Sequence, residues 1–316
     1  MLTVAIIILN LAAGSASLIF GVNLMSDGLE KINVNRIRYA LSRFTGNIFT
    51  SLVTGTIITA LVQSSTAVTI ITVSLVNTGL LQLTQAIGII YGANIGTTIT
   101  AQFMSFELTD FAPLFIFTGF IIRIFAKRYS IKNIGRAVIG FGLMLMGINI
   151  LSWSIPYIEK SSFVKNIFIK YGENPYLGMV IGMIATMLVH SSSATVGLTI
   201  VLFNGGLINF YAALGLILGD NIGTCFTTQI ASIGTIITAR RTGWAHTLYN
   251  VIGSLLVLAI LGPFSFCVKK FTFLLGQDKS RLVANAHTIF NISSAVAFLP
   301  FTRYYEKFIK WIIPDR

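Results

Sequence analysis

VQSSTA at residues 62–67 returns in the chain as VHSSSA at residues 189–194. A second stretch, GANIGTT at 92–98, returns as GDNIGTC at 219–225. Both pairs are separated by the same 127 positions, with no residue gained or lost between them. A match that holds one register over two motifs indicates an internal duplication. The duplicated segments are polar and glycine-rich, although the chain around them is apolar.

The composition indicates an integral membrane protein. Of the 316 residues, 54% are hydrophobic and 10% are charged, and the mean hydropathy is +0.82. Soluble domains carry more charge than this. The net charge of +12 would also suit a nucleic-acid-binding protein, but the basic residues cluster beside apolar runs, as they do in membrane proteins. We therefore expect a lipid bilayer around the chain and no nucleic-acid partner.

The apolar runs predict seven crossing helices and two shorter hairpins. The crossings are expected at about 4–25, 82–104, 111–126, 134–151, 210–231, 243–264 and 283–301. The segments 49–77 and 175–204 each place two short apolar arms around a polar tip, which predicts a re-entrant hairpin. Because the glycine-rich repeats lie inside 82–104 and 210–231, both of these helices are predicted to be broken.

Basic loops predict the orientation of the chain in the cell membrane, the plasma or inner membrane. They place the N-terminus outside and the C-terminus in the cytoplasm, with surface helices at 31–47 and 156–174. Residues 1–133 form repeat 1, and residues 134–316 form repeat 2 with the final helices. Repeat 1 contains an odd number of crossings, so repeat 2 is predicted to enter inverted. One basic loop, 269–281, falls outside against the rule.

The predicted fold class is therefore all-α integral membrane, with two inverted-topology repeats, each with a re-entrant hairpin and a broken helix. Inversion would bring the two hairpin tips together near the midplane of the bilayer. A helix that begins after each tip directs free N–H groups and a partial positive charge at that point, which favours an anion. The predicted substrate-binding residues are Gln63, Ser64, Ser65, Thr66, His190, Ser191, Ser192 and Ser193.

Oxygen atoms of the tips and breaks suit a small hard cation such as sodium. The predicted sodium-binding residues are Gln63, Asn94, Thr97, Thr98, Asp220, Asn221 and Thr224. Neither the tips nor the breaks contain Lys or Arg, and two half-charges cannot hold a doubly charged oxyanion at low dielectric. Bound cations are therefore expected to supply the positive charge. Asp220 stands where repeat 1 has Ala93; it is a cation ligand, a proton carrier or a hydrogen-bonded structural residue.

At the hairpin tips and the glycine-rich repeats, the sequence resembles the sodium–phosphate cotransporter family, that is, the type II Na/Pi group and its bacterial relatives. The resemblance rests on residues 63–67, on 191–195 and on the two Gly-x-Asn-Ile-Gly-Thr segments. It extends to AHTLYN at 245–250 and NAHTIFN at 285–291, and covers nearly the whole chain. It implies sodium-driven import of inorganic phosphate by alternating access, with sodium as the coupling ion and no other cofactor.

The sequence departs from the family pattern at two positions in the tips. His190 replaces the second glutamine, and Thr66 replaces a third serine, so the two halves of the site differ. His190 is either a packing residue or a proton site. Many bacterial relatives also have a PhoU-like domain after the membrane part. Here such a regulator is expected to be a separate protein, and the oligomeric state is left open.

Three other functions are compatible with parts of this pattern. The cargo could be another oxyanion or a carboxylate, and the same donors could line an uncoupled anion channel. An enzyme acting on phosphate esters is disfavoured, because His246 and His287 have no carboxylate nearby in sequence and no nucleophile–base pair is present. The sequence therefore predicts a transporter and not an enzyme.

Overall fold

The computed structural model describes residues 2–32, 34–106 and 108–315. Within these ranges the chain forms helices and connecting turns, which confirms the all-α prediction. The helices are α1 (Leu2–Ile32), α2 (Val34–Arg43), α3 (Ile48–Val62), α4 (Ser65–Asn77), α5 (Leu83–Met104), α6 (Ala112–Phe125), α7 (Tyr129–Ser152), α8 (Ile155–Lys160), α9 (Ser162–Tyr171), α10 (Pro175–Val189), α11 (Ser192–Asn204), α12 (Phe210–Ser232), α13 (Ile237–Ala259), α14 (Leu261–Leu274), α15 (Leu282–Phe298) and α16 (Thr302–Ile312). Short 3-10 turns lie at Thr109–Phe111, Lys279–Arg281 and Leu299–Phe301.

Several of these helices are apolar and long enough to cross a membrane. Three segments qualify alone: Thr3–Ile32, Tyr129–Lys160 and Lys279–Ile312. Two more qualify only as bent pairs, α5 with the helix after it and α13 with α14. By length and composition, the described residues therefore contain three to five spans, fewer than the seven crossings predicted. Helix α12 is not among them, because Asp220 and Asn221 make its centre polar.

The helix predicted at 243–264 has other bounds in the structure, and its crossing of the membrane stays a prediction. Helix α13 begins six residues earlier, at Ile237, and ends at Ala259. Helix α14 then leaves at 89° to it. A bend of this size at a short break means that α13 and α14 together account for one span or for a re-entrant segment.

Both predicted hairpins are helical hairpins with equal arms. Helices α3 and α10 each have 15 residues, and α4 and α11 each have 13. Each first arm begins at an asparagine, since Asn47 accepts from Thr50 N at 2.9 Å and Asn174 accepts from Leu177 N at 3.1 Å. Arms of this length are too short to cross about 30 Å of hydrocarbon. Re-entry into the bilayer stays a prediction.

The predicted breaks in the middle of 82–104 and 210–231 are wrong, because α5 and α12 are continuous helices. Their glycines permit close packing instead of unwinding. A Cβ atom added to Gly92 would lie 2.0 Å from Leu52 O, and one added to Gly219 would lie 1.9 Å from Met179 O. The polypeptide backbones therefore approach so closely that only glycine fits, as in other membrane helix pairs.

These close contacts are duplicated in the register of the sequence repeat. Gly88 approaches Ile48 O in the first copy, and Gly215 approaches Pro175 O in the second. Gly55 would place a Cβ 2.5 Å from Ile89 O, and the equivalent Gly182 would place one 2.3 Å from Leu216 O. The internal duplication is thus a duplication of tertiary packing, with α3 on α5 and α10 on α12. The inverted orientation of the second copy stays a prediction.

A second pair of helices packs beside the hairpins. Helix α1 lies along α7, and Gly21 and Gly140 approach each other, each Cβ position being 2.7 Å from the other's carbonyl oxygen. Ser17 Oγ donates to Leu143 O at 2.9 Å, which adds a polar bond to this seam. Small residues with an interhelical hydrogen bond are typical of membrane helix interfaces. Helix α1 is therefore packed closely against α7. The polar face of α1 that does not contact α7 lies beside the hairpin tips.

Candidate functional site

The residue that ends the first arm of each hairpin has a left-handed backbone. Gln63 has φ 58° and His190 has φ 54°, and they are the two non-glycine residues of the described chain with positive φ. Gln63 N donates to Thr59 O at 2.7 Å, and His190 N donates to Thr186 O at 2.8 Å. A left-handed residue reverses the chain direction after a helix. The two tips therefore have one geometry, although their side chains differ.

A serine hydroxyl caps the helix that follows each tip. Ser64 Oγ accepts from Ala67 N at 3.2 Å, and Ser191 Oγ accepts from Ala194 N at 3.4 Å. An N-cap serine has extended backbone and satisfies one free N–H of the first turn. Its own O–H hydrogen remains available to donate. Each tip thus presents a hydroxyl donor beside a helix N-terminus, the combination that favours an anion.

The two tips share one cavity of about 200 Å³. Its lining contains all eight predicted substrate residues, one predicted sodium ligand of α5 and a group from α1. These residues are Gln63, Ser64, Ser65, Thr66, Thr97, His190, Ser191, Ser192 and Ser193, with Val22, Asn23, Ser26, Asp27 and Glu30 of α1. The cavity is far larger than the ~10–15 Å³ that one water needs. The structure therefore brings together the two motifs that the sequence predicts to meet.

Most of the predicted sodium ligands lie behind this cavity, not in its lining. Asn94 Nδ2 donates to Asn250 Oδ1 at 2.7 Å, and Asn221 Nδ2 donates to Ile217 O at 2.8 Å. Thr98 and Thr224 donate to carbonyl groups of their own helices at 2.8 and 2.9 Å. Gln63 and Thr97 are the members of the predicted sodium set that line the cavity.

Asp220 lies on α12 against the second hairpin and is 1% exposed. Its Oδ1 accepts from Thr186 Oγ1 at 2.6 Å, and that hydroxyl lies 2.9 Å from Thr195 Oγ1. Its Oδ2 is buried and has no hydrogen-bond partner within the described chain. A buried carboxylate without a partner is costly, so this oxygen requires a proton or a bound cation. The first repeat has Ala93 at this position and offers no counterpart.

Two threonines that sequence reasoning missed hold the tips in place. Thr100 Oγ1 donates to Gln63 Oε1 at 2.6 Å. Thr227 Oγ1 lies 3.3 Å from His190 Nδ1. Thr100 of α5 and Thr227 of α12 are themselves separated by 127 positions. The threonine therefore contacts the tip residue in the same way in both copies. The sequence signal was available, because both threonines are identical residues inside the duplicated stretch.

Helix α1 forms a wall of the cavity that the sequence did not predict. Ser26 Oγ donates to Gln63 O at 2.8 Å. Asp27 forms ion pairs with Arg136 and with Lys31, the latter at 2.9 Å. Among the described lining residues, Asp27 and Glu30 are the acidic side chains, and none is Lys or Arg. The wall therefore brings carboxyl groups to a site whose helix ends favour anions, and the cations that pair with Asp27 lie outside the lining.

Comparison with known proteins identifies related chains. A family model described as Na+/Pi-cotransporter matches residues 18–153 and 160–276. "Uncharacterized protein YqeW" of Bacillus subtilis is 28% identical over 94% of this chain and 95% of its own length. "Putative inorganic phosphate export protein YjbB" of Salmonella typhimurium is 32% identical over 98% of this chain, which spans 56% of that protein. "Sodium-dependent phosphate transport protein 2B" of Homo sapiens is 30% identical over 41% of this chain and 20% of its own length. No solved structure shows a significant match.

Proposed function

The chain belongs to the Na+/Pi-cotransporter family, a family of transporters and not of enzymes, and we propose that it is a sodium-coupled symporter that imports inorganic phosphate. One observation carries the proposal. Two serine-capped helix N-termini from duplicated hairpins share a cavity whose described lining contains no Lys or Arg. Such a cavity attracts an oxyanion by dipoles and hydroxyl donors but does not neutralise it.

The missing positive charge is the argument for sodium. Two helix ends supply roughly one positive charge together, while the phosphate dianion carries two negative charges. Arg136 and Lys31 are paired with Asp27, so they are not available to balance the anion, and Glu30 adds a further carboxyl group to the lining. A dianion desolvated in this setting is unstable without cations beside it. Sodium ions bound with phosphate would balance the charge. Phosphate would then bind tightly only when sodium is bound, and this mutual dependence would couple the transport of the two ions.

We assign phosphate to the hydroxyl and amide donors of the tips, the eight predicted substrate residues. Gln63 and Thr97 are the sodium ligands that face the same cavity. Asp220 with Thr186 provides a second cation position behind the second tip, where the unpartnered carboxylate oxygen lies. Asn94, Thr98, Asn221 and Thr224 contribute by bracing α5 and α12 in the conformation described here.

Transport by alternating access requires a moving part and a frame. Each hairpin packs on its own glycine-rich helix, α3 on α5 and α10 on α12, so each copy forms a compact unit. Helices α1 and α7 form a separate seam beside them. We propose that the hairpin units rock against the α1–α7 pair and expose the cavity to the two sides in turn. We also propose that the protein lies in the cell membrane with its N-terminus outside and its C-terminus in the cytoplasm.

The gradient decides the direction of net flux through a symporter. An inward sodium gradient drives phosphate inward, and the same carrier runs outward when the gradient is reversed. The relative YjbB is named for phosphate export, so both directions belong in the test. Purified full-length protein is reconstituted into proteoliposomes, and labelled phosphate is followed under sodium gradients of either sign, with choline as the replacement cation.

Accumulation of phosphate above its external concentration, only with an inward sodium gradient, is the expected result. Equal uptake in choline would contradict sodium coupling. Equilibration without accumulation would indicate an uncoupled anion channel. Stronger uptake of sulfate or succinate than of phosphate would change the cargo and leave the coupling intact. Empty liposomes and protein with Ser65→Ala control for leakage and for binding at the tips.

A further inference from the structure

A second cavity lies beside the basic segment 269–281, which covers the end of α14 and the turn before α15. Its volume is about 650 Å³, and it is formed by α8, α9, the turn between α11 and α12, α14 and the start of α15. Lys165, Lys269 and Lys279 line it. Lys269 lies in α14 and Lys279 in the 3-10 turn that follows it, and both fall in the segment 269–281 that departs from the predicted positive-inside pattern. Under the predicted orientation these lysines lie outside, so they need a role other than setting the topology.

Aromatic rings contact Lys269 and Lys279 at the cavity. Lys269 Nζ lies 5.5 Å from the ring centre of Phe210 and 5.8 Å from that of Tyr211. Lys279 Nζ lies 5.1 Å from the ring centre of Phe203. Contacts of this length are cation–π interactions, which orient an ammonium group without neutralising it. Both ammonium groups remain able to bind an anion.

The rest of the lining suits an amphipathic anion. Glu159 and Glu173 also line the cavity, so against three lysines its formal charge is +1. One phosphodiester, with a single negative charge, balances this, whereas a phosphate dianion exceeds it. The remaining wall is mainly apolar and consists of Phe168, Phe203, Leu207, Ile208, Phe210, Phe273 and Leu282. Apolar walls beside ammonium groups match an acyl chain beside a headgroup.

We propose that this cavity binds an anionic phospholipid, such as phosphatidylglycerol, with its phosphodiester between Lys269 and Lys279. Basic pockets between membrane helices bind lipid headgroups by this chemistry. The cavity lies between the end of α11, which is the second arm of the second hairpin, and α14. A bound lipid would therefore stabilise the second hairpin unit, and it would do so independently of phosphate at the tips.

The test uses the delipidated full-length protein in neutral detergent. Native mass spectrometry counts the lipids retained after addition of phosphatidylglycerol or of phosphatidylcholine, and the thermal unfolding temperature is measured on the same samples. We expect preference for phosphatidylglycerol and an upward shift in unfolding temperature. The double variant Lys269→Gln with Lys279→Gln should weaken phosphatidylglycerol binding roughly tenfold. The Arg double variant at the same positions should restore it.

Lys127→Gln with Lys132→Gln is the matched control, since it removes the same charge from exposed residues outside this cavity. Equal loss of lipid binding in the control would overturn the proposal, because the effect would then be general surface charge. Equal binding of both lipids would overturn it as well. Displacement of phosphatidylglycerol by millimolar inorganic phosphate would show that the cavity is a free-phosphate site, and the lipid assignment would be wrong.

Discussion

The substitution Gly219→Ala tests the close packing of α12 on α10, which the structure shows where the sequence predicted a break in the helix. In the structure, a Cβ atom at Gly219 would lie 1.9 Å from Met179 O, 2.7 Å from Met179 C and 2.8 Å from Met183 N. Two of the three neighbours are atoms of one peptide group in α10, and none is the end of a flexible side chain. Helices α10 and α12 would have to separate by about 1 Å to relieve the contact, and the packing around Asp220 would change with them.

The expected cost can be worked out from this geometry. Overpacking of a rigid interface costs about 1–3 kcal/mol, and a backbone-to-backbone clash belongs at the upper end. Alanine gains up to about 1 kcal/mol over glycine in a helix interior. The net expectation for Gly219→Ala is therefore a loss of about 2 kcal/mol in the free energy of unfolding. Denaturant unfolding in detergent micelles, followed by circular dichroism, measures this difference.

The matched control is Gly262→Ala in α14, where an added Cβ meets no atom within 4 Å. That variant should be as stable as the parent or slightly more stable. If Gly219→Ala unfolds at the same denaturant concentration as Gly262→Ala, the close approach of α10 and α12 is refuted. A variant with unchanged stability but altered sodium dependence would instead support an unwound segment at this glycine.

Three further predictions concern the tips and the buried carboxylate. Thr100→Val leaves Gln63 Oε1 unpaired, a loss of about 1–3 kcal/mol, so half-maximal phosphate uptake should need roughly 5- to 150-fold more substrate. Thr100→Ser should restore it. Asp220→Asn keeps an acceptor for Thr186 but cannot carry charge, so the sodium concentration for half-maximal uptake should rise while the unfolding temperature holds. His190 is exposed whereas His246 and His287 are buried, so diethyl pyrocarbonate should modify His190 before the other two histidines, as peptide mass spectrometry would show.

The hairpins could be predicted because their signals are local. Arm length follows from counting apolar residues, and the polar tip with a serine N-cap predicts where the second arm begins. The left-handed residue at each tip follows from the need to reverse direction in one step. Gln63 and His190 occupy it although neither is glycine, so the residue type alone would not have identified that backbone.

The broken helices could not be predicted correctly because glycine has two opposite uses. In isolation, two glycines within five residues weaken a helix. Against a neighbouring helix, the same glycines permit an approach that no other residue allows, and the packing gained there keeps the helix continuous. Gly96 would place a Cβ 2.6 Å from Thr56 O. Only a tertiary contact distinguishes the two uses, and one sequence does not contain that information.

The α1 wall could not be found for a related reason. Asn23, Ser26 and Asp27 lie outside the duplicated stretch, and nothing in their spacing indicates a partner some 37 residues later at the first tip. Thr100 and Thr227 were different, because the duplication itself marks them. Repetition thus identifies the residues that build each half of the site, while the residues that join the halves to the frame appear only in the folded chain.

The two copies share the geometry of the tips but differ in their ionisable side chains. Both copies have the same tip backbone, the same serine cap and the same threonine beside the tip residue. Yet the position of Ala93 in the first copy is occupied by Asp220 in the second. In addition, Ser26 of α1 donates a hydrogen bond to Gln63 in the first tip. Two identical halves would bind two cations equally and would give neither half a preferred order of movement. A carboxylate in one half and a tether on the other make the halves unequal, which a carrier needs if cation binding is to precede and direct the movement of phosphate.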